Sequence, residues 1–235
     1  MLHPRLRKLT DRIWLFTPDR VRTEPSVGII TTATQTVLVD AGNSPNHARA
    51  VGQALRSIQA PPVRHIIYTH HHWDHVFGAV VWDAPVVAHE RCRQYILEYT
   101  RKPWSAEYLA EASRETPTLA HRYAAIAGSI QDWNELRIIL PSIVFEEKKF
   151  TMPLDGLTVE LEHVGGGHAD DSTVVRIPEE RALFLADCFY PPPLHLRTPD
   201  STEDEHMLMG FFAEKLDYYV DGHTGLLASP GSTGD

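Results

Sequence analysis

Residues 66–75 read IIYTHHHWDH, with four histidines and one aspartate gathered at the end of an apolar run. Imidazoles and carboxylates are costly to crowd together unless a cation sits between them. If the chain stays extended beyond Thr69, alternate side chains share a face, so His70, His72 and Asp74 point one way while His71 and Trp73 point the other. A turn at Asp74 brings His75 round to the first face. The set divides into two imidazoles for one ion, and a carboxylate with an imidazole for a second. Two histidines leave a tetrahedral sphere open, so further ligands are needed. Three candidates stand at the C-terminal ends of expected strands: His168 in HVGGGHADDS, where glycines let the backbone approach closely, Asp187 in ALFLADC, and His223 in YYVDGHTG. The plain alternative is an exposed polar loop rich in histidine. The position of His-x-His-x-Asp-His directly after an apolar strand favours the metal site.

Two divalent cations about 3.5–4 Å apart can share a water and lower its pKa toward neutrality, which supplies a nucleophile without any Ser or Cys. Asp74 could orient that water and later pass a proton to the leaving group. Tyr190, close after Asp187, could donate to a developing oxyanion, although a lone tyrosine is more often structural. The chain has two cysteines, Cys92 and Cys188, and no Cys-x-x-Cys, so any metal must be held by nitrogen and oxygen. Cys188 follows Asp187 along a strand and should face away as a buried thiol. Asp170 and Asp171 read as caps of a turn or helix. His65, His71, His89, His163, His195 and His206 read as loop or surface residues.

The elements that must carry these groups can be traced along the chain. RIWLFTP and SVGIITTATQTVLVDAG predict three short strands, and residues 45–58 a helix capped by Asn43 or Ser44. VRHIIYT is the strand that feeds the histidine loop. From Ala88 to about Leu140 the composition turns helical, in two or three segments bearing Tyr95, Tyr99, Trp104, Tyr108, Tyr123 and Trp133. These aromatics either roof the site as an apolar lid or pack their own helices. Strands return at SIVFEEK, LTVELEHV, STVVRI and ALFLADCF, with YYVDGH as the last strand. A proline-rich loop, PPPLHLRTPDSTEDEH, leads into a further helix, and ASPGSTGD reads as a frayed tail. Two strand-rich blocks bracketing a helical stretch suit two sheets packed face to face with helices outside.

At 235 residues, 43% hydrophobic and 23% charged, the chain suits one large α/β domain. Its net charge of −9 disfavours a nucleic-acid partner. No apolar stretch approaches the roughly 20 residues that span a bilayer, and MLHPRLRKLTDRIW lacks a continuous apolar segment, so the expected setting is cytoplasmic, away from membranes.

Five motifs together resemble the metallo-β-lactamase superfamily. LVDAG is similar to its early Leu-Ile-Asp-Thr-Gly, THHHWDH to its Thr-His-x-His-x-Asp-His, GGGH to its third histidine, LFLAD to its Leu-Phe-x-Gly-Asp, and DGHTG to its final Gly-His-Gly. They occur in the family's order and span nearly the whole chain. The resemblance implies a four-layer αβ/βα sandwich of two mixed sheets with outer helices, a single domain over 1–235 with a helical insert at about 89–140. It also implies two metal positions: His70, His72 and His168 for one ion, Asp74, His75 and His223 for the other, and Asp187 bridging. Asp40 would support the histidine loop without being a ligand. Four departures stand out. Phe77-Gly78 replaces a Gly-Gly, Ala186 replaces the glycine before the bridging aspartate, Thr224 replaces the last glycine, and the chain stops early after His223.

The expected activity is that of a metallo-hydrolase whose activated water cleaves an ester, lactone, thioester or amide, with lactonase or thioesterase chemistry ahead of β-lactamase. Arg91, Arg93, Arg101 and Lys102 could receive an anionic thioester conjugate. Zinc is the leading ion, and iron or manganese suits the same donors. A small-molecule substrate is the expected partner, with a homodimer as the assembly to test. The competing readings are a di-iron redox protein of the same fold, which would show iron absorbance that changes on reduction, and a metal-dependent phosphodiesterase or nuclease, which would need a basic stripe.

Overall fold

The computed structural model describes residues 1–228. ASPGSTGD, apart from its first residue, lies outside the described residues. The first half of the chain builds one seven-stranded sheet from β1 (Leu6–Lys8), β2 (Ile13–Phe16), β3 (Val27–Thr31), β4 (Thr36–Val39), β5 (Val63–Ile67), β6 (Val86–His89) and β7 (Ile143–Phe145), arranged in chain order. β1 to β4 pair antiparallel, and β4 to β7 pair parallel. Parallel strands need crossovers, and helices supply them: α1 (Pro45–Ser57), α2 (Trp73–Val76), and then α3 (Glu90–Thr100), α4 (Ala106–Glu115) and α5 (Ala120–Ser129). The second half builds a six-stranded sheet from β8 (Lys149–Leu154), β9 (Leu157–His163), β10 (Thr173–Ile177), β11 (Ala182–Ala186), β12 (Tyr218–Asp221) and β13 (Leu226–Leu227), with α6 (Glu205–Phe212) between β11 and β12. Among the described strands of that sheet only β11 and β12 run parallel.

Side-chain alternation stacks the layers. In β4, Val37 and Val39 face the second sheet, where they meet Val159, Val175 and Phe184, while Leu38 faces α1 with Ile29 and Ile66. Both faces of the central strands are therefore buried, which explains why they read as continuous apolar runs. On the far side of the second sheet, Leu183, Leu185 and Tyr219 pack against Phe211 of α6. The result is the four-layer sandwich, helix on sheet on sheet on helix. Gly28 sits where the sheets close: a Cβ there would lie 2.5 Å from the Phe184 ring.

The structure adds strands that the sequence reading passes over, β1, β6, β8 and β13. The last of these follows YYVDGH, which is not the final strand. Ser44 caps α1 by accepting from the His47 N–H at 3.2 Å, with Pro45 in the first turn. Asn43 instead donates to the Arg22 and Thr23 carbonyls. The helical stretch resolves into three helices. Tyr99 and Tyr123 are buried there, and Trp104 packs edge-on to Phe77 at 5.0 Å. Most of those aromatics pack the helices, and only Tyr95, at 38%, is exposed among them. No helix among the described residues is long and apolar enough to cross a membrane.

Candidate metal centre

The histidine loop does not remain extended. β5 ends at Ile67, and the chain turns into α2 at Trp73, so Asp74 and His75 enter on a helical turn and not by strand alternation. Asp40, at the end of β4 with φ of 65°, explains the turn. Its carboxylate accepts from the Thr69 N–H and the Thr69 hydroxyl, both at 2.9 Å, and from His75 Nδ1 at 2.7 Å. A donor Nδ1 leaves His75 Nε2 with a free lone pair aimed inward. His168 is held the same way, its Nδ1 donating to the Pro191 carbonyl at 3.0 Å. The two sheets are tied beside the centre by Thr173 N to Thr69 O at 2.8 Å and Ser26 N to Gly222 O at 2.6 Å.

Around this frame the structure brings together all seven proposed ligands. His70 Nε2 lies 3.0 Å from His72 Nδ1, which lies 2.9 Å from His168 Nε2. Asp187 Oδ2 sits 3.3 Å from His168 Nε2, 3.4 Å from His75 Nε2, 3.2 Å from His223 Nε2 and 4.0 Å from His70 Nε2. Asp74 Oδ2 is 3.4 Å from His223 Nε2 and 3.8 Å from His75 Nε2. Three overlapping groups could each hold an ion: His70, His72 and His168; His70, His75 and Asp187; Asp74, His75 and His223. His70, Asp74, His75 and Asp187 are buried, and His72, His168 and His223 are partly open.

The donors fit a cation. Three imidazole nitrogens converging at about 3 Å cannot satisfy one another unless protons or a positive ion lie between them, and ligands about 2 Å from one tetrahedral ion are spaced similarly. His75 Nε2 and Asp187 Oδ1 are buried without a hydrogen-bond partner, a cost that coordination would remove. Burial drives His70 and His72 well below the ordinary imidazole range, which keeps them neutral as ligands require. Burial opposes ionisation of Asp187, yet His223 and His75 hold its carboxyl well below the usual carboxylate range. Burial likewise opposes protonation of His223, and Asp187 and Asp74 outweigh it, lifting the imidazole to about 10. Two carboxylates deep in the fold thus call for positive charge.

Backbone geometry around Asp187 is unusual. Ala186 has φ of 46°, a left-handed conformation that favours glycine and costs an L-residue roughly 1–2 kcal/mol. The β11–β12 register shifts between Phe184 and Ala186, a bulge that re-aims Asp187 into the centre. Gly222 must lack a side chain, since a Cβ would stand 1.9 Å from Asp187 Oδ1.

Several residues behave differently from the sequence reading. Tyr190 donates its hydroxyl to Asp221 at 2.8 Å, and its ring stacks on His223 with centroids 6.1 Å apart, so an oxyanion would have to compete with Asp221 for that proton. Asp171 is no cap: fully buried, it accepts the His71 N–H and faces its ring nitrogen, each at 2.8 Å, which ties the 70–75 loop to the His168 loop. His71 is therefore a structural link, stacked on Tyr95 at 4.3 Å. His89 is buried and stacks on His163 at 3.9 Å. Cys188, by contrast, is where the sequence reading puts it, buried among the α6 contacts. Two clefts flank the centre: one beside His72, which reaches α5, and one beside His223 and Tyr190. Nothing in the residue types marked Asp171, Asp221 or the cleft-lining Arg122, because their roles come from tertiary placement.

A two-sheet sandwich with a histidine and aspartate cluster at the strand ends is the architecture that the five sequence motifs imply. A sequence profile of the metallo-beta-lactamase superfamily matches residues 21–227, and the chain belongs to that superfamily. It is 29% identical over 221 residues to the 2,4-dinitroanisole O-demethylase subunit alpha of Nocardioides sp. (strain JS1661), which covers 90% of this chain and 55% of that protein. It is 26% identical over 174 residues to the linear primary-alkylsulfatase of Pseudomonas sp. (strain ATCC 19151), covering 67% of this chain and 32% of the other. The chain thus spans about half the length, or less, of these curated relatives. Among solved structures, the inverting sec-alkylsulfatase of a Pseudomonas species superposes with a TM-score of 0.69 at 16% identity, over 95% of this chain and 39% of that one. That likeness is one of fold.

Proposed function

We propose that this protein is a hydrolase that uses two divalent cations, zinc being the first choice, to cleave an ester-type bond in a small molecule. The observation that carries the reading is the convergence of four imidazole nitrogens on Asp187 Oδ2, within 3.2–4.0 Å, from loops of both sheets. Cations in such a cluster supply a nucleophile at neutral pH and polarise the bond to be broken. His70, His72 and His168 would hold one ion, Asp74, His75 and His223 the other, with Asp187 shared.

The chain's own groups do the rest. Burial raises the Asp74 carboxyl, but His75 and His223 outweigh it and keep it ionised, so Asp74 is suited to orient an attacking water and to take up or return its proton. Burial and Asp221 push the Tyr190 phenol far up, so it stays protonated and serves to brace the His223 ring. Carboxylic esters, lactones and thioesters are the substrate classes first proposed. The names of the two curated relatives add an aryl O-methyl group and an alkyl sulfate to the set to be tried.

The test is metal analysis joined to a hydrolysis panel of esters, lactones, thioesters, β-lactams, alkyl sulfates, aryl methyl ethers and phosphodiesters. Asp187→Ala should strip the bound metal and reduce turnover by at least roughly a thousandfold. Undiminished turnover after exhaustive chelation, or activity confined to phosphodiesters, defeats the reading.

A further inference from the structure

The cleft beside His72 has a volume of about 180 Å³, and its walls divide by chemistry. Trp73, Ala125, Pro193 and Leu194 form an apolar lining, while Arg122, His121 and His195 bring positive or protonatable nitrogen, and no carboxylate lines it. Arg122 comes from α5 and is half-buried, its guanidinium donating to the Tyr99 hydroxyl and lying 5.8 Å from that ring's centroid. Among the described residues it forms no ion pair. Its neighbours do not offset its charge: Lys102 and His195 are both drawn below their ordinary values, first by burial and then by Arg122. A half-buried guanidinium whose cleft offers no carboxylate is electrostatically unfinished. Its planar fork matches a carboxylate or sulfonate oxygen pair.

We propose that Arg122 is a specificity residue: the His72-side cleft takes a small apolar body, an aromatic ring or short alkyl group, that bears an anionic substituent, and Arg122 binds that anion. This assigns a substrate class to the hydrolase reading and rests on it. The wider cleft beside His223 is less selective for charge, because Glu203 accompanies Arg20 and Arg197 there.

Benzoate, with benzamide as its neutral counterpart, tests the assignment by titration calorimetry and by quenching of tryptophan fluorescence, since Trp73 lines the cleft. Benzoate should bind at least tenfold more tightly than benzamide. Arg122→Gln should abolish that difference, and Arg122→Lys should restore part of it. Each variant is first compared with the parent by thermal melting. The Arg122 dependence should survive chelation of the metals. Benzoate binding that disappears on chelation and ignores Arg122 would place the carboxylate on the ions and overturn the proposal, as would equal binding of the two probes. Among substrates, the ratio of kcat/KM for a carboxylated aryl ester to that for its uncharged analogue should fall at least tenfold in Arg122→Gln. Arg122-dependent benzoate binding in a protein that hydrolyses nothing on the panel would sink the hydrolase reading and leave the anion subsite standing.

Discussion

His47 sits in the first turn of α1, fully buried beneath Gly42 and 5.6 Å from the Phe16 ring. Its Nδ1 accepts the Asn43 N–H at 3.3 Å, and its Nε2 has no partner. Burial first, then Arg5, lowers it to about 3. The folded protein thus keeps His47 neutral where the unfolded chain would protonate it below about 6.5. The stability it contributes is complete above that value and is lost as pH falls toward 3, about 2 kcal/mol between pH 6.5 and 5. Denaturant unfolding of His47→Asn should show a shallower loss over that interval than the parent, and parallel losses would refute the assignment. Residue type and spacing expose the ligands themselves, because several imidazoles in one short stretch have few other uses. Supporting residues such as His47, Asp171 and Arg122 are ordinary in composition, and only the three-dimensional neighbourhood gives them a role.

At the level of elements, central strands were legible because burial on both faces makes them apolar throughout, as in β3, β4 and β11. Among edge strands only β7 was legible, in SIVFEEK. β1 is mostly basic and exposed, and β8 alternates exposed residues with a proline at an edge of the second sheet. The short β6 lies close after a turn and offers only four residues of signal. The histidine loop misled for another reason: Asp40, some 30 positions earlier, captures Thr69 and His75 and bends the chain that strand periodicity would keep straight. The approach of the two sheets at Gly28 is also an element-scale property. Gly28→Ala would drive a methyl into the buried Phe184 ring and should destabilise by about 2 kcal/mol. An unchanged urea midpoint would mean that the sheets can separate there at no cost.

Over the whole molecule, the candidate metal ligands come from both sheets: His70, His72, Asp74 and His75 follow β5, whereas His168, Asp187 and His223 follow β9, β11 and β12. Ions bound there favour the folded state and have no equivalent site in the open chain. Chelation should therefore lower the melting temperature, by roughly 10 °C if the ions are present at a thousand times their dissociation constants. A melting curve indifferent to chelator would show that the cluster contributes nothing to cohesion.

Among the described residues the chain passes from one sheet to the other once, between Phe145 and Lys149. Each sheet is thereby a contiguous stretch of the polypeptide, and neither stretch alone supplies all seven candidate ligands. Apart from that covalent strap, the halves are joined by apolar contact, by hydrogen bonds such as Thr173 N to Thr69 O and His71 to Asp171, and by any ion that the histidine and aspartate cluster would hold. If the proposed centre is occupied, it doubles as a rivet: halves that drift apart would lose the ions and the turnover together.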